Sequence, residues 1–429
     1  MAAVRMEESE YLGERVYTCL VPPGLSLYLL PKPGFHTAHA LLSVGYGSLD
    51  RSFRLLGSSP QTAPDGVAHF LEHRLFASPL GDVGDRFAAL GAEVNAHTTY
   101  TNTSYFFTAA TRVEECLEFL LDFVLNPQFT AEGVVRERAI ITRELQLYGD
   151  SLEWISFIRA LQALYGDHPL GVDIAGTPAS VAAIDLDLLQ RCYGAFYRPG
   201  NMRLFIGGRF EVEAVVERVG RCLEGCAEGP SPLLQRGTDG HQGPLRLSTA
   251  LPVALPRLCL GFGELGAPAQ GQALLRRELC AELVLDLLFG AASDFYARHY
   301  ESGLIDAESF GCEVYFEPEF SFCLIGGDTP DPAGLEAEIL GELERARETD
   351  TLEKGFARAA RRAYGQAVQR LDQVEGAVGA VFGAVSRGAE PFGLFEAHRH
   401  LGPPELRVFL AAHLLPARRG VALVMPGAL

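Results

Sequence analysis

Two histidines and a glutamate lie within five positions of an otherwise apolar stretch, VAHFLEHRLF at residues 67–76. His69 and His73 are four residues apart, so their imidazole rings share one face of a helix. Imidazole is a common ligand of Zn²⁺, and this spacing lets both rings reach one ion. Glu72 lies beside them and could act on a water at the position that a catalytic zinc keeps open. The stretch therefore predicts two ligands and the base of a zinc hydrolase.

A five-residue motif also arises by chance, so it needs support from elsewhere in the chain. With 11 histidines in 429 residues, H-x-x-E-H should occur by chance in about two of a hundred such chains. Zinc needs a third protein ligand, and a second helical pattern, VVRERAIITRELQLY, places Glu137 and Glu144 two turns apart on one face. Glutamates are also common on exposed helices, which leaves an ordinary surface role open for this pair.

The elements that must position these residues follow from hydrophobic patterning. Alternation predicts strands in RVYTCLV, GLSLYLL and HALLSVGYG, as one antiparallel group, and further strands in AEVNAHTTYT, TSYFFTAA and MRLFIGG. The helix of the histidine motif follows Pro64, with Asp65 as its predicted N-cap, and should run to about Phe76.

The second half of the chain repeats the order strand, helix, strand, strand, helix, helix at an offset of about 210 residues. In the second copy Leu285 and Asp286 stand opposite Glu72 and His73, so only the first copy has the motif. The predicted fold is α+β, with two homologous domains that each pack helices on an antiparallel-rich sheet. The predicted boundaries are a zinc-bearing domain at 1–224, a linker at 225–244 and an inactive domain at 245–429.

The composition limits the kinds of partner that the protein could bind and the cell compartment in which we expect it. The formal net charge is −18, and there is no stripe of Lys and Arg of the kind that binds nucleic acid. No apolar run is long enough to span a membrane, and the N-terminus lacks the apolar core of a secretory signal. The nine cysteines are scattered, and the closest pair, Cys222 and Cys226, has no second pair to complete a zinc site. We expect reduced thiols in a cytoplasmic protein.

These motifs together resemble the insulinase-like (pitrilysin, M16) family of zinc metallopeptidases, in the short bacterial form related to mitochondrial processing peptidase subunits. H-x-x-E-H is the inverted form of the H-E-x-x-H signature. The family has a glutamate about seventy residues after the second histidine and another glutamate seven residues before it, as Glu144 and Glu137 are here. GAEVNAHTTYTNTSYFF resembles the family's G-x-x-x-N-A-x-T segment, and FYRPGNMRLFIGG resembles its F-Y-x-P-x-N-M strand entry.

The resemblance implies a role for each matching residue of the site. His69, His73 and Glu144 would ligate Zn²⁺. Glu72 would be the general base, and Glu137 would orient a ligand histidine.

The resemblance also implies a substrate strand. Asn95 and Ala96 would lie where a peptide adds as an extra strand to the sheet, so that recognition uses mainly backbone hydrogen bonds. His97 and Phe106 are weaker candidates on the same strand pair, and His97 also fits an ordinary strand histidine.

One departure from the family pattern concerns the second domain. Relatives that work in pairs have an Arg and a Tyr in a segment like L-R-E-x-x-G-L-x-Y, which stabilise the oxyanion. The matching run here is RHYESGLIDAES, with Tyr300 where the Arg should be and Asp306 where the Tyr should be. Arg298 could replace the Arg only after a register shift. We therefore expect a homologous partner subunit that supplies the Arg/Tyr pair, although the chain could form a homodimer in isolation.

The sequence thus predicts a zinc-dependent endopeptidase subunit that cleaves extended peptides. Three other classes of protein would account for some of these features. A pseudo-peptidase with a structural role would have lost ligands, and all the expected ones are present. A peptide-binding module would need an inert Glu72. A structural zinc protein would close the fourth position with Cys or His, and neither follows this motif.

Overall fold

The computed structural model describes residues 3–55, 57–78, 81–226, 232–234, 236, 245–266 and 269–427, so most of the predicted linker lies outside the described residues. The strands are β1 Arg5–Ser9, β2 Glu14–Val21, β3 Leu25–Pro31, β4 Ala38–Val44, β5 Ser52–Arg54, β6 Gln61–Thr62, β7 Ala77–Ser78, β8 Gly81–Asp82, β9 Ala92–Thr98, β10 Thr103–Ala109, β11 Met202–Gly208, β12 Leu233–Leu234, β13 Arg246–Leu251, β14 Arg257–Leu265, β15 Gly311–Phe316, β16 Phe320–Asp328 and β17 Arg419–Pro426.

The α-helices are α1 Val67–Phe76, α2 Val83–Ala89, α3 Val113–Leu125, α4 Ala131–Gly149, α5 Leu152–Tyr165, α6 Pro178–Ala182, α7 Leu186–Phe196, α8 Val212–Cys222, α9 Gln272–Phe289, α10 Asp294–Glu301, α11 Pro332–Glu348, α12 Thr351–Gln369, α13 Val374–Ser386, α14 Gly393–His400 and α15 Pro403–His413. Short 3-10 helices cover Pro169–Gly171, Pro199–Asn201, Arg370–Asp372 and Pro416–Arg418. Across the described ranges, none of these helices combines the length and apolarity that a membrane span requires.

Two large sheets share one topology. The first has the order β1-β2-β3-β11-β4-β10-β9, and the second has the order β13-β17-β14-β16-β15. The last five strands of the first sheet match the second in order and direction, since β3/β11 and β13/β17 are parallel and the other pairs are antiparallel. The predicted α+β fold with two homologous domains is confirmed.

The prediction that the first three strands form one antiparallel group is wrong in one respect. β2 and β3 are antiparallel neighbours, but β11 lies between β3 and β4 and runs parallel to β3. Alternation of apolar residues identifies strands but not their neighbours, and β11 is distant in the sequence.

The chain divides into two compact units that exchange segments. The first contains Met1–Leu147, Val172–Arg236 and Arg370–Phe382, and the second contains Tyr148–Gly171, Gly237–Gln369 and Gly383–Leu429. In the first unit, the Phe382 ring from α13 packs on the Phe205 ring of β11, with ring centroids 5.4 Å apart. The predicted sequence boundaries remain a prediction, and this exchange is an additional feature of the packing.

In the second unit, α5 covers one face of the sheet. Gly261 and Gly263 of β14 leave the room that Leu164 and Tyr165 occupy, and the Tyr165 hydroxyl donates to the Ser321 carbonyl oxygen over 2.7 Å. The sequence analysis did not identify α5 as an element of either domain.

Helix α1 begins one residue later than predicted. Its N-cap is Gly66, with a φ of 90° and no side-chain cap, whereas the predicted cap Asp65 forms an ion pair with Arg51 over 3.1 Å. A Cβ at Gly66 would lie 2.4 Å from the carbonyl oxygen of Ala175, so both the left-handed backbone and the close approach require glycine. Apolar side chains of α1, among them Phe70 and Leu71, are fully buried in the core of the first unit.

Candidate active site

Three side chains that could ligate a metal converge in the first unit. His69 and His73 lie on α1 with ring centroids 4.5 Å apart, and Glu144 lies on α4. The distance is 3.7 Å from His69 Nε2 to Glu144 Oε1 and 3.3 Å from His73 Nε2 to Glu144 Oε2. One donor atom from each of the three lies within 4.8 Å of the others.

This donor set fits zinc. Two imidazole nitrogens and one carboxylate oxygen are ligands that zinc prefers, and three protein ligands leave the fourth tetrahedral position open. Ligand atoms about 2.0–2.1 Å from a tetrahedral ion lie about 3.3–3.4 Å from one another. The two histidine-to-Glu144 distances, 3.3 and 3.7 Å, are close to that value. The separations of the donor atoms thus fit a single ion between them, although the two distances end on different oxygens of Glu144.

Glu137 holds the second histidine from behind. Its Oε1 lies 3.0 Å from His73 Nδ1, so a proton on Nδ1 leaves Nε2 directed at Glu144 as the atom available for the metal. Arg74 Nη1 lies 3.9 Å from the other oxygen of Glu137, and both side chains are nearly fully buried. Helix α4 thus contributes both glutamates of the predicted pair. Glu137 contacts Nδ1 of His73, and Glu144 lies beside Nε2 of the same ring.

The two histidines differ in their proton affinity. Burial, with a smaller contribution from the charge of His73, lowers the pKa of His69 to about 4. Burial also acts to lower the pKa of His73, but hydrogen bonds to Glu137 and Glu144 outweigh it and raise the pKa to about 9. Since a ligand imidazole must be neutral at its donor atom, metal binding at this site would release a proton from His73 near neutral pH.

Glu72 lies on the same helix but outside the group of convergent donors. The Thr98 hydroxyl donates to Glu72 Oε2 over 2.5 Å. Burial raises the pKa of Glu72, and the hydrogen bond from Thr98 opposes that shift. A carboxylate with raised proton affinity beside a metal site is suited to take a proton from water.

The predicted substrate strand is an edge of the first sheet. β9 pairs with β10 and has no second neighbour in the described part of the chain. The Ala96 N–H donates over 2.8 Å to the side-chain oxygen of Asn95, so it is not used by β10. Asn95 and Ala96 therefore lie where a further strand could pair. The His97 ring packs beside Phe106, with centroids 5.7 Å apart, as an ordinary cross-strand neighbour would.

Sequence reasoning did not assign roles to Thr98 and Arg74. The only signals were their places in the motifs: Thr98 is the threonine of the N-A-x-T segment, and Arg74 directly follows the second histidine. Their contacts with Glu72 and Glu137 join elements that are distant in the sequence, so local patterning could not reveal them.

The segment that departs from the Arg/Tyr pattern has other partners in the second unit. Tyr300 is 57% exposed on α10. Asp306 Oδ2 accepts hydrogen bonds from the backbone N–H groups of Glu308 and Ser309, so it stabilises a turn. Arg298 donates to Glu342 over 3.2 Å. These contacts give Arg298 and Asp306 local structural roles.

Family profiles cover most of the chain. The profile described as Insulinase (Peptidase family M16) matches residues 55–178, and the profile described as Peptidase M16 inactive domain matches residues 183–362. The first match contains all the residues of the candidate site.

Individual relatives agree with these matches. YmfH of Bacillus subtilis strain 168, described as an uncharacterized zinc protease, is 38% identical over 351 residues, which cover 81% of this chain and 82% of YmfH. A crystal structure described as that of an M16-like peptidase from Alicyclobacillus acidocaldarius has a TM-score of 0.90 at 32% identity and covers 98% of this chain and 100% of its own. A protease from Helicobacter pylori shares the fold, with a TM-score of 0.80 at 15% identity over 99% of this chain and 100% of its own.

Proposed function

The chain belongs to the insulinase family of peptidases, family M16, and on that premise we propose that it is a zinc-dependent endopeptidase subunit that cleaves extended peptides. One observation carries the proposal. The donors of His69, His73 and Glu144 converge within 4.8 Å, and the helix that provides the histidines also presents Glu72 as a base.

The residues present supply the chemistry of hydrolysis. Bound zinc would polarise the scissile carbonyl group and lower the pKa of the attacking water. Glu72 takes a proton from that water as its oxygen bonds to the carbonyl carbon. It then gives the proton to the amine nitrogen as the carbon–nitrogen bond breaks. Glu137 holds His73 in place as a metal ligand, because the hydrogen bond between them fixes the orientation of the ring and its tautomer.

The edge strand β9 favours extended, unfolded substrates. When a peptide pairs with β9, the Ala96 N–H would donate to a carbonyl oxygen of the peptide instead of to the side-chain oxygen of Asn95. Backbone pairing selects for an extended conformation and not for particular side chains. Folded proteins would therefore be poor substrates, because few of their segments are extended and free to pair. Asn95 and Ala96 are thus the proposed substrate-binding residues.

A homologous partner subunit is part of the proposal. Tyr300 and Asp306 occupy the places of the Arg and Tyr that would stabilise the oxyanion, and Arg298 is held by Glu342. Loss of one oxyanion donor typically costs about 10²–10³ in turnover. A second chain of the family that retains the Arg/Tyr pair would supply them, and a homodimer in isolation would lack them.

A non-catalytic, peptide-binding or structural role is the alternative within the same family. The complete donor set and the base favour the catalytic role, since a binding module has no need of either. We also propose a cytoplasmic location, with which the nine free thiols are compatible.

The test compares the wild type with Glu72→Gln and His73→Ala, each with its zinc content and its hydrolysis of an unstructured peptide measured. Glu72→Gln should keep zinc and lose about 10²–10⁴ in rate, as expected for a missing general base. His73→Ala should lose the metal as well. A Glu72→Gln protein that cleaves at the wild-type rate would refute the catalytic proposal and leave the binding role.

A further inference from the structure

Thr98 connects the candidate base to the strand on which a peptide would dock. Its hydroxyl donates to Glu72 Oε2 over 2.5 Å, and Thr98 is the last residue of β9. We propose that Thr98 is a positioning residue that holds the Glu72 carboxylate in its working orientation and ties that orientation to the edge of the sheet. This inference rests on the proposed peptidase function.

The proton of Thr98 is committed to Glu72 by its surroundings. The neighbouring Thr103 hydroxyl lies 3.3 Å from the Thr98 hydroxyl, but it donates its own proton to the carbonyl oxygen of Tyr46 over 2.9 Å. Each hydroxyl has one proton to donate. Thr103 therefore offers Thr98 only an acceptor oxygen, and the Glu72 carboxylate is the nearer acceptor, at 2.5 Å against 3.3 Å. A hydrogen bond to a charged acceptor is also stronger than one between neutral groups.

Thr98 pairs with a buried residue of the neighbouring strand. Thr103 lies directly opposite Thr98 in the β9/β10 register and is fully buried. The β9/β10 pairing therefore holds the Thr98 side chain beside that of Thr103, on the face from which its hydroxyl reaches Glu72.

The direction of the backbone places Thr98 at the open edge. In an antiparallel pair the N–H and C=O groups of one residue point to the same side, and this side alternates along the strand. The Thr99 N–H bonds back to the carbonyl oxygen of Asn102 within the hairpin, whereas the Ala96 N–H does not reach β10. Thr98 lies two residues after Ala96, so its N–H and C=O groups point to the same side of the strand as those of Ala96. Its backbone therefore faces the side where a peptide strand would pair, while its side chain faces Glu72.

This arrangement assigns different tasks to the two oxygens of the carboxylate. Oε2 accepts the Thr98 hydrogen bond, so Oε1 is the oxygen left to take the proton of the attacking water. Thr98 gives up no proton during the reaction. Its effect is to fix which oxygen faces the water, and a peptide that orders β9 would fix it further.

The decisive variant is Thr98→Val, which keeps the shape of the side chain and removes the hydroxyl. We expect kcat for an unstructured peptide to fall about 10- to 100-fold, the size of effect that follows from losing a hydrogen bond to a charged group. KM should change by less than about twofold, since peptide pairing uses the backbone. Thr98→Ser, which restores the hydroxyl, should recover most of the rate. Thr101→Val, in the same hairpin but without a contact to Glu72, is the matched control and should match the wild type.

Four further measurements separate positioning from structural damage. Zinc content and the thermal unfolding midpoint of Thr98→Val should equal those of the wild type. Peptide affinity, measured in the Glu72→Gln background, should be unchanged by Thr98→Val. In that background Thr98→Val should also cause no further loss of rate, because the carboxylate that it positions is gone.

A Thr98→Val protein with the wild-type kcat overturns the inference, and so does a Thr98→Ser protein as slow as Thr98→Val. An equal loss of rate in the wild-type and Glu72→Gln backgrounds also overturns it. Failure of the proposed function is recognised separately, because Glu72→Gln itself would then remain active.

Discussion

Glu137 gives the sharpest test of how the site is built, because it contacts a ligand without being placed to bind the metal itself. We predict that Glu137→Gln weakens zinc binding and keeps the fold. Glutamine has nearly the shape of glutamate, and its amide oxygen can still accept a hydrogen bond from the N–H at His73 Nδ1. The substitution therefore removes charge and leaves the hydrogen bond geometry largely in place.

The magnitude follows from the geometry of the pair. The distance from His73 Nδ1 to Glu137 Oε1 is 3.0 Å, and the Glu137 side chain is only 6% exposed, so solvent screens the interaction poorly. Loss of such a partner typically weakens metal binding 10- to 100-fold, or about 1.4–2.7 kcal/mol. Arg74, 3.9 Å from the other oxygen of Glu137, would also lose its counter-charge. Its positive charge would then disfavour a cation nearby.

The assay is competition for zinc against a chelating dye at fixed pH, with wild type, Glu137→Gln and Glu132→Gln compared. Glu132 is an exposed glutamate in the first turn of the same helix, so its variant controls for the general loss of one negative charge. A zinc dissociation constant that rises equally in both variants would show that only net charge matters. An unchanged constant in Glu137→Gln would refute the argument that this glutamate supports the ligand.

Two other predictions concern the partner and the exchanged segments. Peptide hydrolysis should be weak for this chain alone and should rise about 10²–10³-fold on mixing with a homologous chain that has the Arg/Tyr pair; full activity without a partner would refute this. A fragment of residues 245–429 should not give a cooperative unfolding transition, because α5, within Tyr148–Gly171, covers its sheet. A fragment that starts at residue 148 should do so, and equal behaviour of both fragments would refute the idea that α5 completes this unit.

The local elements of the fold could be predicted because their patterns are local. The periodicity of apolar residues located α1, α4 and the hairpin of β9 and β10. Two features could not be found in this way. The strand β11 enters between β3 and β4 from far along the chain, and the start of α1 depends on the approach of Gly66 to Ala175. Both features depend on tertiary contacts. The local preference of Asp65 for an N-cap position therefore did not determine where α1 begins.

The candidate site divides along the same line. Helix geometry alone places His69 and His73 on one face. The pairing of Glu144 with them came from the family resemblance, because many exposed helices carry two glutamates at such a spacing. The hydrogen bond from Thr98 to Glu72 crosses from one element to another, and only the structure could show it.

The second copy of the fold differs from the first at the position of the proposed metal site. Its helices α9 and α12 correspond in order to α1 and α4, and Asp286 on α9 stands where the first copy has His73. Asp286 forms an ion pair with Arg362 of α12. In the second copy, therefore, the corresponding helices are joined by an ion pair between two protein side chains, whereas in the first copy two histidines and a carboxylate face each other. The match of this half to the profile described as the M16 inactive domain is consistent with that difference. One scaffold thus carries two arrangements: the convergent donors of the proposed metal site in the first copy, and an internal ion pair in the corresponding place of the second.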